Sequence, residues 1–307
     1  MRIGIVGAGG IGGYLAGRLV GSGAEVALVA RGAHGAAIVE HGLRIVSPEG
    51  ECVVRPTLST DDPARVGICD LVIPAVKAHQ LADAIEAARP MMGPSSHALT
   101  FQNGVDAPDL VARAYGRDRA LIGVARIFVN ITGPGEITVR EGFRTFVIGD
   151  MDGSQSGVAG PVIAAFRAAG IDAPDCDDVR ADLWLKFLLF NAVSSTTAGA
   201  RTTMGVVRHT PELWSLFADL VRETDAVARA LGVRLPEGAA ERVIDVAAAM
   251  PAGARASTAH DLEAGRALET DWLCGALARI GDEIGVPVPA SRTVAALLAP
   301  YRDGTPA

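Results

Sequence analysis

A glycine-rich loop between a strand and a helix is the feature that most constrains how this chain folds. The loop GAGGIG, Gly7 to Gly12, follows an apolar run over Arg2 to Val6 that predicts a buried strand. A helical pattern covers Ile11 to Gly21, and a second strand pattern covers Glu25 to Ala30. Together they predict a βαβ unit, with which a doubly wound parallel sheet begins.

The spacing of the glycines fits G-x-G-x-x-G, a pattern that binds dinucleotides when it joins a strand to a helix. The first glycine permits the tight turn, the second lets backbone amides approach a pyrophosphate, and the third allows the helix to pack closely on the strand. The predicted cofactor-binding residues are Gly7, Ala8, Gly9, Gly10, Ile11 and Gly12. The alternative is a βα turn that is only tightly packed.

Arg31 bears on which dinucleotide would bind. An NAD site commonly places an acidic residue at the end of the second strand, but here that strand is followed by Arg31. A guanidinium there matches the 2′-phosphate of NADP. We therefore expect NADPH/NADP as the cofactor, although an ordinary solvated arginine would look the same in sequence.

Further strand patterns and then helical patterns predict the domain organisation. The strand patterns are Leu71–Ala75, Ala98–Phe101 and Ala120–Val129, with hairpins over Gly42–Val54 and Ile127–Ile148, the second turning at Gly133–Gly135 and again at Glu141-Gly142. After Gly149 strand patterns disappear, and helical periodicity follows at Leu183–Ala198, Pro211–Leu231, Ala239–Ala249, Asp271–Ile284 and Ser291–Leu298. We predict an NADP-binding Rossmann-type domain over residues 1–175 and an all-α substrate domain over residues 176–307.

Three polar side chains stand where a ligand is expected. Lys77 and Asn103 each follow a predicted strand, and the carboxyl ends of strands are where open α/β sheets bind ligands. A helix-capping lysine and an Asn-Gly turn are the ordinary alternatives. Lys186 stands among apolar residues in DLWLKFLLF. In one interpretation its aliphatic stem covers apolar surface while the ammonium reaches water, and in the other the ammonium donates a proton to a carbonyl oxygen.

Composition and net charge limit the kinds of partner that the protein is expected to bind. The net charge of −7, without long charged blocks, argues against nucleic acid or an anionic membrane and favours a small molecule. Four scattered cysteines and six histidines show neither disulfide nor zinc spacing, which predicts reduced thiols, a cytoplasmic protein and no metal site. Nine glycines interrupt the apolar N-terminus, so we expect neither export nor a membrane span.

Taken together, these motifs resemble the ketopantoate reductases over essentially the whole chain. The resemblance rests on GAGGIGGYLAGRL, LVARG, Val76-Lys77, the QNG of Gln102 to Gly104, Trp184 to Lys186, the pattern S-x-x-x-D-L-E-x-G-R-x-x-E from Ser257, and the closing GVPVPASRTVAALL. On its own, the segment from Ser257 would be interpreted as a solvated helix start with alternating charge.

The resemblance implies an NADPH-dependent oxidoreductase of pantothenate biosynthesis that reduces a 2-oxo acid in a cleft between two domains. It gives Lys186 the role of proton donor and places Asn103 near both nicotinamide and substrate. Glu269 matches a residue that touches the cofactor or the polar end of the substrate. Gly7 to Gly12, Arg31 and Lys77 match cofactor contacts, and Ser257 matches a contact to the substrate carboxylate.

The chain departs from that family where the substrate is recognised. Ketopantoate reductases carry asparagines four, eight and eighteen residues after the lysine, where this chain has Phe190, Ser194 and Met204. Asn191 does not replace them, because five residues along a helix lie about 140° around the axis from Lys186. Phe190 and Ser194 are therefore predicted to line a more apolar substrate site.

Three hypotheses follow from the sequence. The first is reduction of a 2-oxo acid of the ketopantoate type, and the second is the same chemistry on a different, more apolar carbonyl substrate. The third is a non-catalytic NADP sensor. The long apolar helix near Lys186 would serve equally well as core or as the interface of a homodimer.

Overall fold

In a computed structural model, which describes residues 1–305, the chain divides into two compact units. The first unit, here the sheet unit, comprises Met1–Gln102 and Ala107–Arg180, and the second, the helical unit, comprises Asn103–Asp106 and Ala181–Ala307. The expected division between residues 175 and 176 differs from this one in two ways: the sheet unit continues to Arg180, and the short segment Asn103–Asp106 belongs to the helical unit.

Nine strands form one sheet in the sheet unit. They are β1 (Arg2–Val6), β2 (Glu25–Val29), β3 (Leu43–Ser47), β4 (Gly50–Val54), β5 (Leu58–Thr60), β6 (Cys69–Pro74), β7 (Met92–Thr100), β8 (Ala120–Gly133) and β9 (Glu136–Asp150). Their order in the sheet is β4-β3-β9-β8-β7-β6-β1-β2-β5. From β8 to β5 all neighbours are parallel, whereas β8–β9 and β3–β4 are antiparallel hairpins.

Four helices connect these strands, a fifth follows the last strand, and the remaining helices come after it in sequence. They are α1 (Gly10–Gly21), α2 (Gly32–His41), α3 (Leu81–Ala87), α4 (Ala107–Tyr115), α5 (Ala159–Ala168), α6 (Val179–Gly199), α7 (Met204–His209), α8 (Pro211–Ala230), α9 (Ala239–Ala248), α10 (Ser257–Glu263), α11 (Cys274–Ile284) and α12 (Pro289–Leu298). The predicted fold class, a Rossmann-type sheet followed by a helical domain, is confirmed.

The central parallel strands β1, β2 and β6 are buried over most of their length, which explains their nearly continuous apolar sequence. Leu71 and Ile73 of β6 belong to a large cluster on one face of the sheet, while Val72 between them belongs to a smaller cluster on the other. Side chains alternate between faces along a strand, so three consecutive apolar residues serve both cores. The sheet is therefore rigidly covered on both sides, and its strand ends are fixed in position.

Two expectations about the sheet unit were wrong or incomplete. Glu141-Gly142 is not a turn, since β9 runs without a break from Glu136 to Asp150. The pairing of β8 with β9 instead shifts register between Val129↔Val139 and Ile127↔Arg144, and Gly142 adopts φ +124 in this bulge. Helices α2 and α5 were not predicted, because their short, alanine-rich sequences have weak periodicity.

The apolar residues of α6 around Lys186 differ in burial. Leu183, Trp184, Phe187 and Leu188 are at most 5% exposed within a single chain and belong to the core. Leu185, Leu189 and Phe190 are half-buried, so the homodimer stays a prediction. Among residues 1–305, no helix is long and apolar enough to cross a membrane.

Candidate active site

The carboxyl ends of the central parallel strands bring the predicted cofactor residues of the sheet unit to one edge. Gly7 directly follows β1, Arg31 follows β2, and Lys77 follows β6. Because β1 is paired in parallel with both β2 and β6, these three segments leave the sheet at the same side. The edge thus carries a backbone loop and two cationic side chains.

Close packing explains two of the glycines in the loop. Gly7 has φ +107, and a Cβ there would lie 2.7 Å from the carbonyl oxygen of Ala75. A Cβ on Gly12 would overlap the carbonyl oxygen of Gly7 and lie 2.9 Å from the Cβ of Ala75. These positions accept only glycine because the turn and the helix approach the strands so closely.

Gly9 differs, since its surroundings are open. The nearest atom to a Cβ on Gly9 would be the carbonyl oxygen of Ala75 at 3.8 Å, an ordinary contact. Gly9 is the N-cap of α1, makes no side-chain cap, and is followed by a first turn without acidic residues. The amides at this helix start therefore face no carboxylate of their own helix, which suits the phosphates of a dinucleotide.

Arg31 and Lys77 are both exposed at the strand ends. Arg31 is the N-cap residue of α2 in extended conformation, and Lys77 holds the same position in a short 3-10 helix over Ala78–Gln80. Neither caps its helix through its side chain. Helix capping by Lys77, the ordinary explanation for that lysine, is thus not what the side chain does.

Gln102 is a structural element of this edge that the sequence interpretation missed. Its Nε2 donates hydrogen bonds to the carbonyl oxygens of Pro74 at 2.7 Å and Val76 at 3.0 Å. Gln102 is 8% exposed, and it ties the end of β7 to the segment that carries Lys77. The only signal in the sequence was its place in the QNG motif, which had been attributed to Asn103.

In the helical unit, the short segment Asn103–Asp106 is anchored at both ends. A Cβ on Gly104, where φ is +92, would overlap the carbonyl oxygen of Trp272. Asp106 accepts a hydrogen bond of 2.7 Å from Arg279 of α11. These contacts fix the backbone beside Asn103, so the direction of its side chain is constrained.

Lys186 of α6 meets Asn103. The Nζ of Lys186 donates to Oδ1 of Asn103 at 3.2 Å, although the two residues are 83 positions apart in sequence. The same ammonium lies 5.7 Å from the ring centroid of Phe190, one turn further along α6. Lys186 is half-buried, and its ammonium is engaged by a side chain of the same unit.

Glu269 and Ser257 lie on neighbouring segments of the same unit. Glu269 is 4% exposed and immediately precedes the 3-10 turn Thr270–Trp272, whose last carbonyl packs against Gly104. The turn therefore connects Glu269 with the segment that carries Asn103. Ser257 is the half-buried first residue of α10.

The three positions that depart from the family pattern have different surroundings. Phe190 lies beside the ammonium of Lys186, as described above. Ser194 is 1% exposed and its Oγ has no hydrogen-bond partner within the described chain. Met204 is fully buried, and its backbone amide donates to Ala254 at 2.9 Å. Asn191 points elsewhere, since its amide donates to the Thr224 hydroxyl at 3.3 Å.

Comparison with known proteins agrees with this geometry. The family model described as ketopantoate reductase PanE/ApbA matches residues 3–153, and its C-terminal counterpart matches residues 178–302. A 2-dehydropantoate 2-reductase of Mesorhizobium japonicum is 31% identical, with 97% of each chain covered. The same enzyme of Halobacterium salinarum is also 31% identical, covering 99% of this chain and 100% of the relative.

A solved structure also matches nearly the whole chain. The ketopantoate reductase of Ralstonia eutropha superposes with a TM-score of 0.88 at 33% identity, covering 98% of both chains. The protein is thus an oxidoreductase that acts on a C=O/CH–OH pair, which separates it from the non-catalytic sensor. The chain belongs to the ketopantoate reductase family, and this membership supports a nicotinamide cofactor.

Proposed function

We propose that the protein catalyses the NADPH-dependent reduction of a 2-oxo acid to the 2-hydroxy acid, a reaction of the ketopantoate-to-pantoate type. The observation that carries this proposal is the hydrogen bond from Lys186 Nζ to Asn103 Oδ1. It holds a half-buried ammonium in a defined direction, which is what a proton donor to a carbonyl oxygen requires.

Reduction of a carbonyl needs a hydride at carbon and a proton at oxygen. Bound NADPH supplies the hydride from its nicotinamide. As the C=O electron pair moves onto oxygen, Nζ of Lys186 donates a proton to it and becomes a neutral amine, which regains a proton from water. An ammonium has three donor hydrogens, one of which goes to Asn103.

The same ammonium stabilises charge that develops only during reaction. A carbonyl oxygen is nearly neutral in the substrate and becomes an alkoxide as hydride arrives, so a fixed cation favours the transition state more than the ground state. The partial burial of Lys186 strengthens this effect by lowering the local dielectric. Asn103 contributes by orienting the ammonium, and Glu269 is assigned to the cofactor or the polar end of the substrate.

Cofactor binding is assigned to the edge of the sheet unit. The amides of Gly7 to Gly12 would hold the pyrophosphate, which is supported by the open surroundings of Gly9 and by the absence of acidic residues from the first turn of α1. Arg31 would bind the 2′-phosphate that distinguishes NADP from NAD. Lys77 would add a second positive charge, and Asn103 and Glu269 complete the proposed cofactor contacts.

A pair of lysine substitutions tests the catalytic role. Lys186→Ala should lower kcat about 10²- to 10⁴-fold, the range for loss of general acid catalysis, with the dissociation constant for NADPH within about twofold of wild type. Lys186→Arg keeps the charge but not the acidity, since a guanidinium does not deprotonate in proteins. It should recover only part of the loss.

Three outcomes are informative. Turnover by Lys186→Ala within about threefold of wild type would remove Lys186 as the proton donor. Full activity of Lys186→Arg would retain the electrostatic role and exclude proton transfer from this residue. Loss of NADPH binding in either variant would show that Lys186 contacts the cofactor instead. Lys77 is the other lysine of the chain, and Lys77→Ala is the control for a lysine proposed to bind the cofactor.

A second candidate substrate class is favoured by Phe190. Its ring lies 5.7 Å from the Lys186 ammonium at a position where the family pattern has an asparagine. An aromatic ring stabilises the ammonium by a cation–π interaction but offers no hydrogen bond to a substrate hydroxyl. The substrate site we propose is therefore suited to a 2-oxo acid with an apolar side chain, with Ser257 binding the carboxylate.

Two substrates that differ by one hydroxyl distinguish the candidates. Ketopantoate and 3,3-dimethyl-2-oxobutanoate have the same branched skeleton, and only ketopantoate carries the terminal hydroxyl. A site built to bind that hydroxyl rejects the analogue by about 10⁴-fold, whereas an apolar site discriminates weakly or prefers the analogue. The ratio of the two kcat/KM values, followed by the loss of reduced nicotinamide, decides between the ketopantoate type and the apolar type.

Phe190→Asn provides the matched variant. If Phe190 excludes the hydroxyl, the variant should raise kcat/KM for ketopantoate relative to the dehydroxy analogue by about tenfold or more. Phe190→Leu, which remains apolar but removes the ring, should leave the ratio unchanged. An equal ratio in wild type and Phe190→Asn would show that this position does not select the substrate.

We further propose that the protein acts in the cytoplasm and, if ketopantoate is the substrate, in pantothenate biosynthesis. All four cysteines are free thiols, which supports a reducing compartment. A homodimer remains a prediction that size-exclusion chromatography with light scattering would test. A small-molecule substrate is the expected partner, with no role for nucleic acid or a membrane surface.

A further inference from the structure

A histidine that no motif singled out contacts the cofactor loop. His34 is the third residue of α2 and is half-buried. Its Nε2 lies 2.9 Å from the carbonyl oxygen of Ala8, the second residue of the glycine loop. Its Nδ1 lies 3.0 Å from the backbone amide of Gly135 and 3.3 Å from the carbonyl oxygen of Gly133.

The partner of Nε2 settles the direction of the bond to the loop. The carbonyl oxygen of Ala8 can only accept, so Nε2 carries a hydrogen and donates it to Ala8. Nδ1 lies within reach of a donor, the amide of Gly135, and of an acceptor, the carbonyl oxygen of Gly133. One imidazole thus connects the glycine loop to the turn between β8 and β9.

The turn on which His34 rests is itself held firmly. The carbonyl oxygen of Gly135 accepts a 2.8 Å hydrogen bond from the amide of Arg44. A Cβ on Gly135, where φ is +73, would lie 3.0 Å from the Cβ of Ala37, one turn further along α2. The imidazole is therefore held by both α2 and the turn, and its hydrogen bond to Ala8 restrains the glycine loop.

The bond to Ala8 sets the direction of a peptide group in the loop. The carbonyl of Ala8 and the N–H of Gly9 belong to the same planar trans peptide and point in opposite directions. When the carbonyl is bound to His34, the N–H of Gly9 points away from His34. Gly9 is the N-cap of α1, at the site proposed for the pyrophosphate.

We propose that His34 is a positioning residue of the dinucleotide site, which orients the Ala8–Gly9 peptide so that the Gly9 amide is presented to the cofactor pyrophosphate. This inference rests on the proposed cofactor role of the glycine loop. His34 contacts neither substrate nor reacting atoms, so its effect is on cofactor affinity and not on the chemical step.

Two conservative variants separate the two bonds of the imidazole. The amide nitrogen of a glutamine reaches about as far as Nε2, so His34→Gln should keep the bond to Ala8 and lose the bond from Gly135. The amide oxygen of an asparagine lies near the place of Nδ1, so His34→Asn should keep the bond from Gly135 and lose the one to Ala8. His34→Ala loses both.

The experiment measures the dissociation constant of NADPH by titration calorimetry, kcat at saturating NADPH, and the melting temperature of each full-length variant. His34→Ala and His34→Asn should bind NADPH about three- to tenfold more weakly, as for the loss of one hydrogen bond, with kcat within about twofold of wild type. His34→Gln should bind within about twofold of wild type, even if its melting temperature is lower.

The proposal is overturned if the affinity for NADPH falls in step with the melting temperature and His34→Asn binds NADPH as tightly as His34→Gln. The role of His34 would then be merely structural. Equal affinity in all variants would also overturn the proposal. If wild type itself binds neither NADPH nor NADH, the assignment of the glycine loop fails, and that result is distinct from the failure of His34.

Discussion

Gly9 and Gly12 of the cofactor loop should respond oppositely to replacement by alanine. The Gly12 methyl would overlap the Gly7 carbonyl oxygen and lie 2.9 Å from the Cβ of Ala75, so the backbone must move. Overpacking of this kind costs up to about 3 kcal/mol, of which the better helix propensity of alanine returns up to about 1 kcal/mol. We expect Gly12→Ala to lower the free energy of unfolding by about 2 kcal/mol, or the melting temperature by about 4–8 °C.

Gly9→Ala should have the complementary effect. With φ −63 and ψ −170, the Gly9 backbone suits any residue, and the nearest atom to the new methyl is 3.8 Å away. The cost to folding is at most about 1 kcal/mol, from the poorer N-cap. The methyl would, however, stand where the pyrophosphate must approach, and about 1–3 kcal/mol of crowding corresponds to about 5- to 150-fold weaker binding.

Thermal unfolding without ligand and NADPH titration by calorimetry, carried out on both variants and wild type, provide the test. The reasoning about loop geometry is refuted if Gly9→Ala binds NADPH within about twofold of wild type. It is equally refuted if Gly12→Ala melts at the wild-type temperature, because the overlap with Gly7 would then have no consequence.

Three further predictions concern other residues of the chain. Arg31→Ala should weaken NADPH binding about tenfold while leaving NADH binding within about twofold, and equal effects on both cofactors would contradict a 2′-phosphate contact. Gln102→Ala should lower the free energy of unfolding in urea by about 1–3 kcal/mol because one buried and one part-buried carbonyl lose their donor, whereas the exposed Gln80→Ala should change it by less than about 0.5 kcal/mol. Burial raises the pKa of the Cys274 thiol from 9.0 to about 11, so iodoacetamide at mildly alkaline pH should label the exposed Cys52 first and Cys274 only after unfolding. Since the folded-state pKa is the higher one, the contribution of Cys274 to stability is complete below pH 9.0 and is lost as the pH rises toward about 11.

Local patterns predicted most of the secondary structure. The strand Arg2–Val6 has the predicted bounds, and the starts of Pro211–Ala230 and Ala239–Ala248 agree as well. These elements have strong periodicity, or a proline or glycine at their start. The bulge at Gly142 was instead predicted as a turn, because a glycine permits either and only pairing with β8 decides between them.

The residues of the candidate site likewise fall into those that the sequence predicts and those that only the structure reveals. Glycine spacing and the order of strand and helix predict the cofactor loop, since those residues are neighbours in sequence. The partner of Lys186 lies 83 residues away, and no spacing rule connects the two. Gln102 and His34 escaped notice for the same reason, because each makes its contacts with segments that are distant in sequence.

The sequence by itself determined the first βαβ unit, the change from strands to helices and the family resemblance, because these depend on residue types at short, fixed intervals. Only the tertiary structure decided which side chains meet: Asn103 beside Lys186, and an imidazole between a loop and a turn. Such contacts depend on sheet register and on the packing of helices, which are properties of the whole chain. They cannot be obtained from any local segment.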